Sequence, residues 1–92
     1  MKKVKIRLTN DWGHYIYLTI NYFPKRRSDM VRRVDEFYLT DHACYATAVP
    51  VKEACKWLRE AKHLASYDGD VIVKAEYLLA GKPTTLKAAG LR

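Results

Sequence analysis

The chain is poor in the residues that build disulfide scaffolds, membrane spans and phosphate-binding loops. Its 92 residues include only two cysteines, three prolines and four glycines. Two cysteines cannot staple a small secreted fold, so reduced thiols are expected. No apolar run follows Met1-Lys2-Lys3, which leaves neither a signal peptide nor a spanning segment and points to a soluble, cytoplasmic protein. The glycines stand apart at positions 13, 69, 81 and 90, so no phosphate loop or dinucleotide fingerprint exists and no cofactor is expected.

Acidic residues are scarce where basic ones are dense. Residues 1 to 33 hold nine lysines and arginines against two aspartates, whereas residues 34 to 92 hold eight of each sign. The formal charge of +7 is therefore an N-terminal property. Such an excess favours polyanionic partners and says little about fold. Clustering at Lys2, Lys3, Lys5 and Arg7, at Lys25, Arg26 and Arg27, and at Arg32 and Arg33 suggests an anion-binding surface as readily as a solubilising edge.

At 49% apolar and 29% charged, the composition is that of one small globular domain, residues 1–92, with 83–92 as a short C-terminal tail or terminal helical turn. Val4, Ile6 and Leu8 alternate with Lys3, Lys5 and Arg7, the period of a strand over residues 3 to 9. Asn10-Asp11-Trp12-Gly13 has turn chemistry. A second strand from His14 to about Phe23 alternates Ile16, Leu18 and Ile20 with Tyr15, Tyr17, Thr19 and Asn21. Pro24 ends it, and a basic loop follows. Residues 28 to 40 fit either a helix capped by Ser28 or a strand, and their β-branched and aromatic content selects a strand over 32 to 40. A turn at Thr40-Asp41-His42-Ala43 then leads into a strand from Cys44 to Val49, completing a meander.

After Pro50 the spacing of Val51, Ala54, Cys55, Leu58, Ala61, Leu64 and Ala65 predicts an amphipathic helix, with Trp57 flanking the stripe and Lys52, Lys56, Arg59 and His63 on another face. Asp68-Gly69-Asp70 stops it, and a strand runs from Val71 to about Leu79. The expected class is α+β: an antiparallel sheet of four to five strands with one helix packed on one face. One helix covers one face only. The other face then carries Lys3, Lys5, Arg7, Tyr15 and Tyr17.

Cations beside flat rings meet the two needs of single-stranded nucleic-acid binding, charge along phosphates and platforms for bases. The candidate contacts for nucleic acid or a partner are Lys5, Arg7, Trp12, Tyr15, Tyr17, Lys25, Arg26, Arg27, Arg32 and Arg33. Trp12 at a turn tip either folds back over the sheet edge or projects as an anchor. No recognition-motif, KH or helix-turn-helix signature is present. His42, Cys44, Cys55, His63 and His14 lack the spacing of a zinc site, so no metal is expected, and both cysteines read as core residues. Asp41, His42 and Cys44 offer a thiol and an imidazole, but adjacent strand side chains point to opposite faces and nothing supplies an oxyanion hole or a cleft, so no catalytic residue is assigned.

With leading antiparallel strands, one amphipathic helix, a returning strand and no catalytic motif in fewer than one hundred residues, the chain resembles small phage-encoded inhibitors of the anti-CRISPR type in size and element order. That resemblance implies docking on a nucleic-acid-containing effector complex. Its basic charge contradicts mimicry of DNA. The expectation is a non-enzymatic protein that docks on nucleic acid (RNA or single-stranded DNA) or a ribonucleoprotein by occlusion. The alternatives are a small basic, toxin-like ribonuclease using His42 and a protein-only adaptor.

Overall fold

A computed structural model describes residues 2–24, 26–28 and 32–90. Among these residues six strands and one α-helix follow in the order β1 (Lys3–Asn10), β2 (Tyr15–Tyr22), β3 (Val34–Thr40), β4 (Val49–Pro50), α1 (Val51–Tyr67), β5 (Ile72–Leu79) and β6 (Lys82–Thr84). The sheet order is β3-β2-β1-β5-β6, every pairing is antiparallel, and β4 attaches to β1. The expected α+β class holds.

The alternation seen in the sequence becomes the two faces of this sheet. Val4, Ile6 and Leu8 of β1 and Leu18 and Ile20 of β2 are buried against Val51, Ala54, Trp57, Ala61 and Ala65 of α1. Burial of each large aliphatic side chain contributes about 1.5–3 kcal/mol, so the shared face sets the register. Two bulges adjust it. Between β1 and β5 the register steps at Thr9/Asn10, and between β2 and β3 at Asn21/Tyr22, leaving Val73 and Asp35 as extra residues.

The hairpin tip is organised by Asn10. Its buried side-chain oxygen accepts from the backbone N–H of Trp12 at 3.1 Å and of His14 at 2.9 Å. Gly13 takes φ +80°, which closes the turn.

Three expectations change. The stretch from Cys44 to Val49 is not a strand: a single 3-10 turn spans Ala43–Tyr45, and only Val49–Pro50 pairs, with Lys3 and Val4 of β1. Residues 41–46 cross the face that was to stay open, and residues 47–50 return between β1 and β2 to start α1. Thr47 makes this passage possible, because its N–H donates to the Leu18 carbonyl at 3.0 Å and its hydroxyl accepts from the Ile20 N–H at 2.8 Å. Cys44 and Cys55 are exposed and do not belong to the core. Trp57 takes the buried position instead, edge-on to Phe37 at 5.2 Å, since an indole covers more apolar area than a thiol. Finally, residues 83–92 are not simply a tail: Pro83 and Thr84 belong to β6, and Ala89 is buried in the main core.

Candidate nucleic-acid interface

The face opposite α1 has a different character from the one its sequence pattern suggests. Tyr17, placed there as a stacking platform, is only 8% exposed because Ala46 and Leu78 close over it. The crossing segment is held in place by a hydrogen bond from the Thr19 hydroxyl to the Tyr45 carbonyl, 2.9 Å. Tyr17 is therefore withdrawn as a base platform. Arg7 is also committed. Its guanidinium pairs with Glu76 at 2.9 Å, with side chains 14% and 10% exposed. Burial works against its charge, but hydrogen bonds to Glu76 and Tyr17 and the charge of Glu76 more than offset this and raise its pKa. The same guanidinium lies 4.0 Å over the Tyr15 ring, so one side of that ring is covered. Lys5 is half-buried, while Tyr15, Tyr38 and Tyr45 are exposed.

Trp12 projects. At 82% exposed it does not fold back over the sheet edge. The neighbouring Asp11 N–H bonds the Val71 carbonyl at 2.9 Å, which sets the exposed Val71 beside the hairpin tip.

Exposed cations gather at the other end of β1. Arg27, Arg32 and Arg33 are exposed on the connection between β2 and β3, as is Arg26. Lys25 lies outside the described residues. The connection is anchored where Phe23 N–H donates to the Arg33 carbonyl at 2.9 Å, and Arg33 lies 5.3 Å over the Phe23 ring. Arg32 lies 4.8 Å over the Tyr22 ring. Below it opens a groove of about 980 Å³ whose floor includes Ile20, Thr47 and Ala48 and whose walls are the ends of β2 and β3 and the first turns of α1. Three cations line it: Lys3 from β1, Arg32 from the loop and Lys56 from the helix. They are more than fifty residues apart in the chain at their extremes, and the groove exists because residues 47–50 hold β1 away from the end of β2.

Two carboxylates share this groove, Asp35 from the β3 bulge and Glu53 from the first turn of α1. Among the described residues no ion pair joins them to Lys3, Arg32 or Lys56. Burial, and then the nearby charge of Glu53, push the Tyr22 phenol above its ordinary pKa, with Arg32 acting the other way. Lys56 lies 4.9 Å over the Trp57 ring, and the buried Trp57 indole N–H has no hydrogen-bond partner among the described residues.

No protein-family model, curated protein or solved structure matches this chain. The site must be read from its own chemistry. Arg32 and Arg33 were legible as basic residues, whereas Lys3 and Lys56 reach the groove only through the fold. Tyr22, Asp35 and Glu53 carried no sequence signal beyond ordinary strand and helix positions. Among the described residues no three histidine, cysteine or acidic side chains are grouped to hold a metal. No helix is long and apolar enough to cross a membrane.

Proposed function

We propose that this protein is a non-enzymatic binding protein that docks its basic end on single-stranded nucleic acid, free or displayed by a ribonucleoprotein, and acts by occlusion. The supporting observation is the convergence of Lys3, Arg32 and Lys56 on one groove, with Arg27 and Arg33 exposed on the same connection that carries Arg32. Exposed cations attract phosphates and speed encounter, and the groove adds a concave seat that a flat basic surface lacks. An inhibitor of the anti-CRISPR type would use such an end against the RNA of its effector.

The test is fluorescence anisotropy with a labelled single-stranded RNA oligomer across a salt series. Affinity is expected to fall steeply with salt, with the slope shrinking by roughly 0.7 for each phosphate contact removed. Arg32→Ala with Arg33→Ala should therefore weaken binding and flatten the slope. Lys82→Ala, at the opposite edge of the sheet, should do neither. Absence of binding, or binding indifferent to salt, sinks the proposal.

One observation favours a second reading, a protein-only adaptor: the projecting Trp12 beside exposed Val71. A partner complex that is insensitive to nuclease and salt but lost in Trp12→Ala would select it. The ribonuclease reading rests on His42, whose Nε2 lies 3.4 Å from Asp41 on the exposed surface. It requires RNA cleavage that His42→Ala abolishes.

A further inference from the structure

The groove contains two carboxylates that a site built only for phosphate has no use for. Three cations and two acids line one space, unpaired with one another among the described residues. Carboxylates repel a bare phosphate, so the mixture suits a ligand that carries an anion at one end and hydrogen-bond donors at the other. A nucleotide is such a ligand. Its phosphate needs the cations, and its base edge can donate to a carboxylate, which is an acceptor only.

The chemistry narrows the base. An ionised carboxylate accepts two parallel hydrogen bonds best from two adjacent N–H groups. Guanine presents such a pair on its Watson–Crick edge, the ring N1–H and the exocyclic amine. Cytosine and adenine set their amine beside a ring nitrogen acceptor, which would face a carboxylate lone pair. Uracil places its single N–H between two carbonyls. Glu53 is the better placed of the two acids, because it is held on the first turn of a helix and its charge is felt at the Tyr22 phenol in the groove wall. Arg32 over the Tyr22 ring at 4.8 Å supplies a cation and aromatic stack to which a flat base can add.

We infer that the groove seats one unstacked nucleotide and prefers guanine, with Glu53 accepting from its N1–H and exocyclic amine while Lys3, Arg32 and Lys56 hold the phosphates. This rests on the nucleic-acid reading above and adds base preference to it.

The test compares binding of octauridylate with the same oligomer carrying one central guanosine, and then one central inosine, which lacks the exocyclic amine. The guanosine oligomer is expected to bind about tenfold more tightly than octauridylate, with inosine losing most of that gain. Glu53→Gln should collapse the guanosine preference while raising affinity for octauridylate, since a negative charge beside the phosphate cations is gone. Asp35→Asn should raise affinity for both oligomers alike and keep the preference. Thermal melts of both variants check that the fold is retained. Equal binding of the guanosine oligomer and octauridylate by the unaltered protein overturns the guanine seat and leaves the nucleic-acid reading standing. A preference that survives in Glu53→Gln overturns the role of Glu53. Failure of every oligomer to bind overturns both readings together.

Discussion

The Thr47 hydroxyl takes the place of a strand neighbour for Ile20, accepting from its N–H at 2.8 Å and lying 3.4 Å from its carbonyl oxygen. By this contact β2 is satisfied on the side where β1 has moved away, and the chain passes through the sheet from one face to the other. Thr47→Val keeps the shape and removes the acceptor. It should cost about 1–3 kcal/mol, the penalty of leaving a buried N–H unpaired, and urea unfolding would measure it. A loss below the error of that measurement would mean that water satisfies Ile20.

Arg7 and Glu76 form the other cross-strand device. Glu76 receives both Nε and an outer nitrogen of Arg7, at 3.3 and 2.9 Å. Glu76→Ala leaves a guanidinium with little access to water and should destabilise the fold by about 2 kcal/mol, in line with hydrogen bonds to charged groups. High salt should recover little of it, because the pair is mostly shielded from solvent.

The β5–β6 hairpin turns through Ala80 at φ +52° and Gly81 at φ +78°. Positive φ at both central residues marks a type I′ turn, and alanine is poorly suited to the first of them. Ala80→Asn is expected to stabilise the protein by about 0.5–1 kcal/mol in chemical denaturation, since asparagine tolerates the left-handed conformation. An unchanged or lowered midpoint would show that the turn relaxes without help.

Alkaline pH should expose two shielded phenols. Tyr22 and Tyr77 hold their protons more tightly than ordinary tyrosine, first because of burial and then because of Glu53 and Cys55 respectively. A raised folded-state pKa leaves stability intact below the unfolded phenol value of about 10 and removes it as pH rises from there through the folded value. Phenolate absorbance should therefore show two groups titrating above the ordinary tyrosine value of about 10. Tyr77→Phe should flatten part of the stability loss above about pH 10.

Much of the architecture follows from local periodicity. Val4, Ile6 and Leu8, and likewise Leu18 and Ile20, reveal their shared face because side chains alternate along any strand, and the i, i+3, i+4 recurrence from Val51 to Ala65 reveals a helix for the corresponding reason. The choice of a strand for the segment that became Val34–Thr40 rested on β-branched and aromatic content, which suits a pleated, half-covered surface. Local pattern misjudged Cys55 and Trp57, which sit two residues apart near the edge of the helical stripe. Their order was settled by which side chain had more apolar area to hide, and by Phe37 from a distant strand.

The candidate site was legible only as charge. Arg26, Arg27, Arg32 and Arg33 announce a basic connection, but Tyr17 offers no local sign that residues 41–46 will cross above it. That crossing couples segments more than twenty residues apart through Ala46 and the Tyr45 carbonyl, and no short window contains both sides of such a contact.

What the sequence determined by itself was the strand alternation, the helix and the N-terminal excess of positive charge, all properties carried by neighbouring residues. The tertiary structure alone decided where that charge does its work. Lys3, Arg32 and Lys56 come together because Thr47 to Pro50 wedge β1 and β2 apart, and the rings expected on the open face are covered or capped by partners from elsewhere in the chain. Long-range packing made those choices, since burial rewards total apolar area and paired polar groups without regard to their separation in sequence.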